Sequence, residues 1–218
     1  MTRVAEKIIP ENKIVVTFDI CSSSNIIEDL SLTGNLQAMR NMLIGIKNFL
    51  RKNTIKYNFD VYKFTGDGWI LLFPENTTGK DLLSFLRQLS LFFIDKIKKI
   101  ESLLETKPQI MGITFGVDGG QLIKIIMMSK AEYIGRPLNI ACRLQDAIKD
   151  RDKYPAYKVL VSNHIFQKLG DCSEYQVLKV KRTLRNIQGG KDYQCVKINL
   201  MRKKISRTPV THNMLKRS

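Results

Sequence analysis

Several features that would point at once to a function are scarce in this sequence. No two of its cysteines form a CxxC pair; they are Cys21, Cys142, Cys172 and Cys195. This scatter argues against a zinc site or a disulfide framework and favours free thiols in a reducing compartment. No run approaches the roughly 18 uncharged apolar residues of a membrane span, and the N-terminal stretch lacks the apolar segment of a secretory signal. We therefore expect a cytoplasmic protein without a transmembrane segment.

Acidic and aromatic residues are also few. Twenty Asp and Glu stand against 36 Lys and Arg, which gives a formal net charge of +16. Such a field attracts polyanions, whether nucleic acid, an anionic membrane surface or nucleotide phosphates. A nucleic-acid-binding ferredoxin-like module would need exposed aromatics on its sheet, yet aromatics make up only 8% of the chain. That module remains an alternative, with nucleic acid an unlikely partner.

What the sequence does contain is an alternation of strand and helix patterns. β-rich apolar runs predict strands at 14–20, 110–117, 122–128, 158–163, 175–181 and 192–199, and a hairpin at 57–73. Helical spacing of apolar residues predicts helices at 35–52, 80–104 and 137–148. The segment Asp118-Gly119-Gly120 is typical of a turn between two strands. This order predicts an α+β ferredoxin-like sandwich, with a mostly antiparallel sheet and helices on one face.

The chain shows no internal repeat and no interior linker, so residues 1–200 are expected to form one catalytic domain. Residues 201–218 contain six Lys or Arg and no acidic residue. Because charge runs are usually solvated and chain ends poorly ordered, we predict a mobile basic tail there.

Two aspartates stand at the ends of neighbouring predicted strands. Asp19 lies near the end of the first strand, and Asp67 lies at the tip of the hairpin. In a ferredoxin-like sheet these strands are adjacent, so both carboxylates can converge at one edge. Two carboxylates held close repel each other without a cation, and Mg²⁺ or Mn²⁺ accept one or two carboxylates together with substrate phosphates. Either Asp alone would more simply be a turn or cap residue; together they predict a metal site.

Three segments, "FDICSSS", "KFTGDG" and "YIGRPLNIACRL", follow one another in the chain. Together they resemble the class III nucleotidyl cyclase catalytic domain, whose pattern is a Phe-x-Asp-Ile strand end, a Gly-Asp hairpin and a Gly-x-x-x-Asn-x-x-x-Arg helix. The resemblance spans roughly residues 10–200. It implies two Mg²⁺ or Mn²⁺ ions per site, a nucleoside triphosphate substrate, and a head-to-tail homodimer with composite sites.

The resemblance also implies roles for individual residues. The metal ligands would be Asp19, Asp67 and the carbonyl of Ile20. From the other subunit, Asn139 would orient the ribose and Arg143 would neutralise charge on the α-phosphate; being four apart, they share one helix face. Backbone amides would cradle the triphosphate at Cys21, Ser22, Ser23 and Ser24. Candidates for holding the outer phosphates are Lys181, Arg182 and Lys191.

In this family the base is read at two positions, which here are Lys63 and Glu132. A Lys with an acidic partner suits adenine, but Glu132 is longer than the family's usual Asp and would leave less room for a bicyclic base. The three segments most resemble the compact bacterial Pycsar pyrimidine cyclases, which make cyclic UMP or cyclic CMP in antiphage defence and signal to a separately encoded effector. We expect UTP or CTP as substrate, with a preference for UTP; an adenylate cyclase is the alternative.

Two further alternatives are weaker. A palm-type polymerase or cyclic-dinucleotide synthase also pairs carboxylates on such a sheet, but no equivalent of the Asn139–Arg143 helix is expected there. A degenerate, non-catalytic cyclase homologue is disfavoured because both carboxylates, the Asn and the Arg are all present. The sequence therefore predicts an enzyme.

Overall fold

The computed structural model describes residues 10–150 and 152–203. The first half of this range contains β1 (Pro10–Cys21), α1 (Ser23–Leu32), α2 (Leu36–Tyr57), β2 (Asp60–Phe64), β3 (Gly68–Pro74) and α3 (Gly79–Glu101). The second half contains β4 (Gly112–Met127), β5 (Lys130–Ile134), α4 (Arg136–Ala147), β6 (Lys158–Ser162), α5 (Asn163–Lys168), β7 (Tyr175–Arg182) and β8 (Tyr193–Lys203). Residues 201–203 of the predicted tail continue β8, and the rest of that tail lies outside the described residues.

One twisted sheet organises the chain. Its strands run in the order β2-β3-β1-β4-β6-β8-β7, and β5 pairs with the far end of β4. Only the pairing of β4 with β6 is parallel among the described strands. The prediction of an α+β fold with a mostly antiparallel sheet is therefore confirmed. Within the described residues, no helix combines the length and apolarity needed to cross a bilayer.

The sheet carries helices on both faces, which the sequence analysis did not predict. Side chains of β1 alternate: Val16 and its even-numbered neighbours pack with α1, α2 and α3, whereas Val15 packs with Ala141 of α4 on the opposite face. Both valines are fully buried. A central strand that is apolar on both faces requires cover on both sides, so one helical layer could not have sufficed.

The predicted turn at Asp118-Gly119-Gly120 is wrong, because β4 runs through it without a break. The reversal comes instead at Met128 and Ser129, whose φ values of 48° and 61° suit a tight hairpin. Gly119 is required by close packing within the strand: a Cβ atom there would lie 2.7 Å from the Ile165 side chain of α5. Glycine inside a strand can thus mark the approach of a neighbouring element.

Candidate active site

The β2–β3 hairpin brings the two predicted carboxylates together. Asp19 on β1 pairs with Gly68, so Asp67 in the turn stands beside it. The two carboxyl groups are close enough that Asp67 raises the pKa of Asp19. A Cβ atom on Gly68 would lie 2.0 Å from the Phe18 carbonyl oxygen, and Gly66 has a φ of +105°. Only glycines on either side of Asp67 therefore allow this close approach.

The Asp19 carboxyl group has an unusual environment. Burial is the largest cause that raises the pKa of Asp19 to about 7, and the hydrogen bond and charge of Asp67 act in the same direction. Lys149, whose Nζ lies 3.7 Å from Asp19 Oδ2, opposes this rise. Two carboxylates held close repel each other, and a cation bound to both removes this repulsion. Lys149 reaches Asp19 because the carboxylate projects toward the face that α4 covers.

The donor set fits a hard divalent cation. Besides the two carboxylates, the predicted ligands include the carbonyl of Ile20. This residue directly follows Asp19, where the pairing of β1 with β3 ends. In the part of the chain that the structure describes, no three His, Cys, Asp or Glu side chains gather to hold a metal. A cation at this edge would therefore need oxygens from a substrate, as Mg²⁺ sites that bind phosphates do.

Helix α1 starts directly behind the carboxylates. Its N-cap residue, Ser22, has a φ of 57°, and its hydroxyl donates to the Ile110 carbonyl at 2.9 Å instead of capping the helix. The hydroxyl of Ser23 makes a short hydrogen bond to Asp67. In the described part of the chain the N-cap side chain does not cap this helix, so its first amides can bind an anion next to the carboxylates. Of the residues predicted to cradle the triphosphate, Ser22–Ser24 lie at this helix start and Cys21 is buried at the end of β1.

The predicted ribose and transition-state residues lie on α4. This helix begins after Gly135, with Pro137 in its first turn. Asn139 is exposed, and Arg143 is partly exposed with its guanidinium 3.5 Å from Asp146 Oδ2. Within the described residues, the ion pair of Arg143 is with Asp146 and not with Asp19 or Asp67. Both side chains are therefore presented outward, where a second molecule could meet them.

The three predicted outer-phosphate residues differ in their surroundings. Lys181 and Lys191 are exposed. Arg182 is only 7% exposed, and its Nε donates to the Ala147 carbonyl at 3.1 Å. Its guanidinium also donates to the Lys181 carbonyl at 2.9 Å. Arg182 thus ties β7 to the end of α4, and this engagement speaks against a direct contact with phosphate.

Arg185 is a basic residue that the sequence analysis did not select. It lines a cleft of about 290 Å³ together with Arg143, Asp146 and Thr183. Its position in the segment "KVKRTLRNIQGGK" was the available signal. Nothing in that segment distinguishes it from its basic neighbours, because only the fold places it beside Arg143.

The two predicted base-reading residues meet within one chain. Lys63 Nζ of β2 lies 3.3 Å from Glu132 Oε2 of β5. Tyr62, which is not among the predicted site residues, donates from its hydroxyl to the same oxygen at 2.6 Å. The hydrogen bond from Tyr62 is the largest cause that lowers the pKa of Glu132, followed by that from Lys63. A carboxylate held in this way is ionised at neutral pH and can act only as a hydrogen-bond acceptor.

Several solved structures that superpose on this chain are cyclases. A guanylyl cyclase superposes with a TM-score of 0.66 at 13% identity, over 93% of this chain and 98% of its own. The adenylyl cyclase CyaB from P. aeruginosa gives 0.64 at 18% identity, over 93% and 98%. The chain has the fold of nucleotidyl cyclases.

The guanylate cyclase domain of RhGC from Catenaria anguillulae, solved in complex with GTP, also shares this cyclase fold. It gives a TM-score of 0.61 at 13% identity, over 86% of this chain and 96% of its own. No protein-family model matches the sequence, and no curated protein matches it by sequence. At such low identities the likeness concerns the cyclase fold, and chemistry has to be argued from the residues of the site.

Proposed function

We propose that this chain is a nucleotidyl cyclase, which converts a nucleoside triphosphate to its 3′,5′-cyclic monophosphate and pyrophosphate. The observation that carries the proposal is the position of Asp19 and Asp67 side by side at the start of α1: Asp19 pairs with Gly68, the residue after Asp67, and Ser23 of α1 donates a hydrogen bond to Asp67. Candidate metal ligands beside a helix start without a side-chain cap support a site for a metal-bound triphosphate.

Different residues of the chain have different roles in the proposed reaction. Mg²⁺ or Mn²⁺ ions held by Asp19, Asp67 and the Ile20 carbonyl would lower the pKa of the ribose 3′-hydroxyl and neutralise the departing pyrophosphate. The amides at the start of α1 hold the triphosphate. Asn139 orients the ribose, and Arg143 offsets the charge that develops on the α-phosphate. The 3′-oxygen bonds to the α-phosphorus, the bond to the β-phosphate oxygen breaks, and the hydroxyl proton passes to solvent.

We further propose a head-to-tail homodimer in which each site combines Asp19 and Asp67 of one subunit with the α4 residues of the other. The outward position of Asn139 and Arg143 supports this. So does the exposed apolar tip of the β4–β5 hairpin, where Met128 is 95% exposed and Ile126 is 66% exposed. A contiguous apolar surface of this kind is commonly covered by another protein surface.

We propose that the outer phosphates are bound by the exposed Lys181 and Lys191 and by Arg185, which shares a cleft with Arg143. Arg182 is excluded because it is buried and bonded to the end of α4.

The base is proposed to be a pyrimidine, with UTP preferred over CTP. The length of Glu132 and the resemblance to Pycsar cyclases support this, and the same resemblance supports a cytoplasmic role in antiphage signalling to a separate effector. Adenine remains the alternative because a lysine and a carboxylate, Lys63 and Glu132, meet at the base-reading position.

The test is product analysis with Mn²⁺ and each of ATP, GTP, CTP and UTP in separate reactions. We compare the wild-type protein with Asp67→Ala and with Asp95→Ala, a matched control on the exposed surface of α3. A cyclic nucleotide from the wild type and the control, but not from Asp67→Ala, would support the proposal. Cyclic UMP or CMP would establish the pyrimidine assignment, and cyclic AMP would replace it. No product from a wild-type dimer would overturn the cyclase proposal and return attention to polyanion binding.

A further inference from the structure

A bulge in β2 sets the direction of two side chains beside the base-reading carboxylate. Val61 pairs with Leu71 and Lys63 pairs with Ile70, so Tyr62 is an extra residue in the strand. Successive side chains normally alternate between the faces of a sheet, and a bulge interrupts this alternation. Val61 packs toward α1–α3, whereas Tyr62 packs on the α4 face. Lys63, paired with a residue of that same face, points there too.

The Tyr62 hydroxyl then bridges two strands that are distant in sequence. It donates to Glu132 Oε2 at 2.6 Å and accepts from the backbone N–H of Tyr133 at 2.9 Å. Because the hydroxyl has one proton and one of its lone pairs is already engaged, its proton is directed at the carboxylate. Lys63 contacts the same oxygen at 3.3 Å. Among the described residues, Glu132 Oε1 has no hydrogen-bond partner and is left for a ligand.

The electrostatic environment keeps this arrangement in one protonation state. Burial, followed by the hydrogen bond to Glu132, raises the pKa of Tyr62, so the hydroxyl retains its proton. The pKa of Glu132 is lowered by Tyr62 and Lys63, so it remains an acceptor. The ring of Tyr62 is also held, since it meets the Tyr133 ring edge-on with centroids 5.3 Å apart.

We propose that Tyr62 is a positioning residue for base selection: it holds the Glu132 carboxylate so that Oε1 accepts from an N–H group on the edge of the base. The inference rests on the proposed cyclase function and deepens it. Without the hydroxyl, the exposed Lys63 is the one partner that Glu132 keeps among the described side chains, and the glutamate can rotate among several rotamers. Selection between bases then weakens although the metal site and the fold are intact.

The experiment measures kcat and KM for all four nucleoside triphosphates with Mn²⁺, using wild type, Tyr62→Phe, Glu132→Ala and the double variant. Tyr133→Phe is the matched control, because it removes a hydroxyl from the neighbouring ring and leaves the backbone N–H in place. We expect Tyr62→Phe to lower kcat/KM for the preferred nucleotide about tenfold, mainly through KM, and to leave the other nucleotides within about twofold. In the Glu132→Ala background the same substitution should have no further effect.

The outcomes separate this inference from the proposed function. A uniform loss with all four nucleotides in Tyr62→Phe, or an undiminished effect in the Glu132→Ala background, would overturn the role of Tyr62 while leaving the cyclase proposal standing. The same loss of selectivity in Tyr133→Phe would overturn the specific role of the Tyr62 hydroxyl. Absence of turnover by wild type with every nucleotide would overturn the proposed function and this inference together. Thermal unfolding of each variant identifies any substitution that acts by unfolding the protein.

Discussion

The segments Gly66-Asp67-Gly68 and Asp118-Gly119-Gly120 look alike in sequence and are opposite in structure. The first is a turn that holds Asp67 against Asp19 and the start of α1. The second is the middle of a continuous strand, where Asp118 is only 3% exposed and its Oδ1 lies 3.4 Å from His164 Nε2. Glycine beside aspartate thus meets two different needs, a reversal of the chain or room for a neighbouring element. The first arrangement produces a candidate reactive site and the second a buried carboxyl group.

The largest expected effect is on activity, and it distinguishes Asp67 from Asp118. Asp67→Asn should lower kcat on the order of 10²–10³-fold, because a metal site that loses a charged ligand loses several kcal/mol of transition-state stabilisation. Its thermal stability should not fall, since the contact between two carboxyl groups at Asp19 is relieved. Initial rates with Mn²⁺ and thermal unfolding of the same samples measure both quantities.

Asp118→Asn is the matched comparison for that experiment. It should keep wild-type turnover, because Asp118 lies in the middle of β4 and contacts His164 instead of the candidate metal site. An inactive but folded Asp118→Asn variant would show that the contrast between the two aspartates is mistaken.

The next effect is on the free energy of unfolding, and it distinguishes Gly68 from Gly119. Gly68→Ala should destabilise the protein by about 3 kcal/mol, because the new Cβ atom would lie 2.0 Å from the Phe18 backbone carbonyl in the paired strand. Gly119→Ala should cost about 1 kcal/mol, because its nearest obstacle is the terminal methyl of Ile165, which can shift. Chemical denaturation gives both free energies of unfolding. Equal losses of stability at the two positions would contradict this prediction. They would mean that moving β1 away from β3 costs no more free energy than moving the Ile165 side chain.

The smallest effect concerns pH. Burial raises the pKa of Asp118 above its ordinary value of 3.8 in the folded protein. An acid with a raised folded pKa contributes stability below its unfolded pKa, and this contribution is lost as the pH rises through the folded value. The stability of Asp118→Asn relative to wild type should therefore increase from pH 4 to pH 7, by about 1.4 kcal/mol for each unit of the shift. Denaturant titrations at several pH values measure it, with Asp95→Asn as an exposed control; a constant difference would argue against burial of the charge.

Most of the strands and helices that the sequence predicted correctly were predicted from local patterns. β-formers on both sides of Gly66-Asp67-Gly68 predicted the hairpin, and apolar residues at helical spacing predicted α2, α3 and α4. The turn predicted at residues 118–120 is absent because the two glycines there make room for later elements of the chain: Gly119 lies against Ile165 of α5, and Gly120 lies against Pro137 of α4. The prediction of helices on one face failed for a similar reason. Apolar residues on both sides of β1 indicate that both faces of the sheet are buried, but they do not indicate which elements cover each face.

Contacts between distant segments account for what was missed in the candidate site. Tyr62 and Glu132 are 70 residues apart, and only the bulge in β2 together with the β4–β5 hairpin joins them. Arg182 looks like any exposed basic residue of its segment, yet its position beside α4 buries it. Arg185, three residues later, lies instead in the cleft with Arg143.

The sequence by itself determined the three longest helices, most of the strands and the chemical types at the candidate site, because turn geometry and hydrophobic periodicity are properties of neighbouring residues. It did not determine α1, β5 and α5, or that β4 is one continuous strand. Only the tertiary structure decided that α4 covers the second face, that Asp118 is buried, and that Tyr62 holds Glu132. These outcomes depend on which surfaces pack together, and packing energy is shared among residues that the chain order leaves far apart.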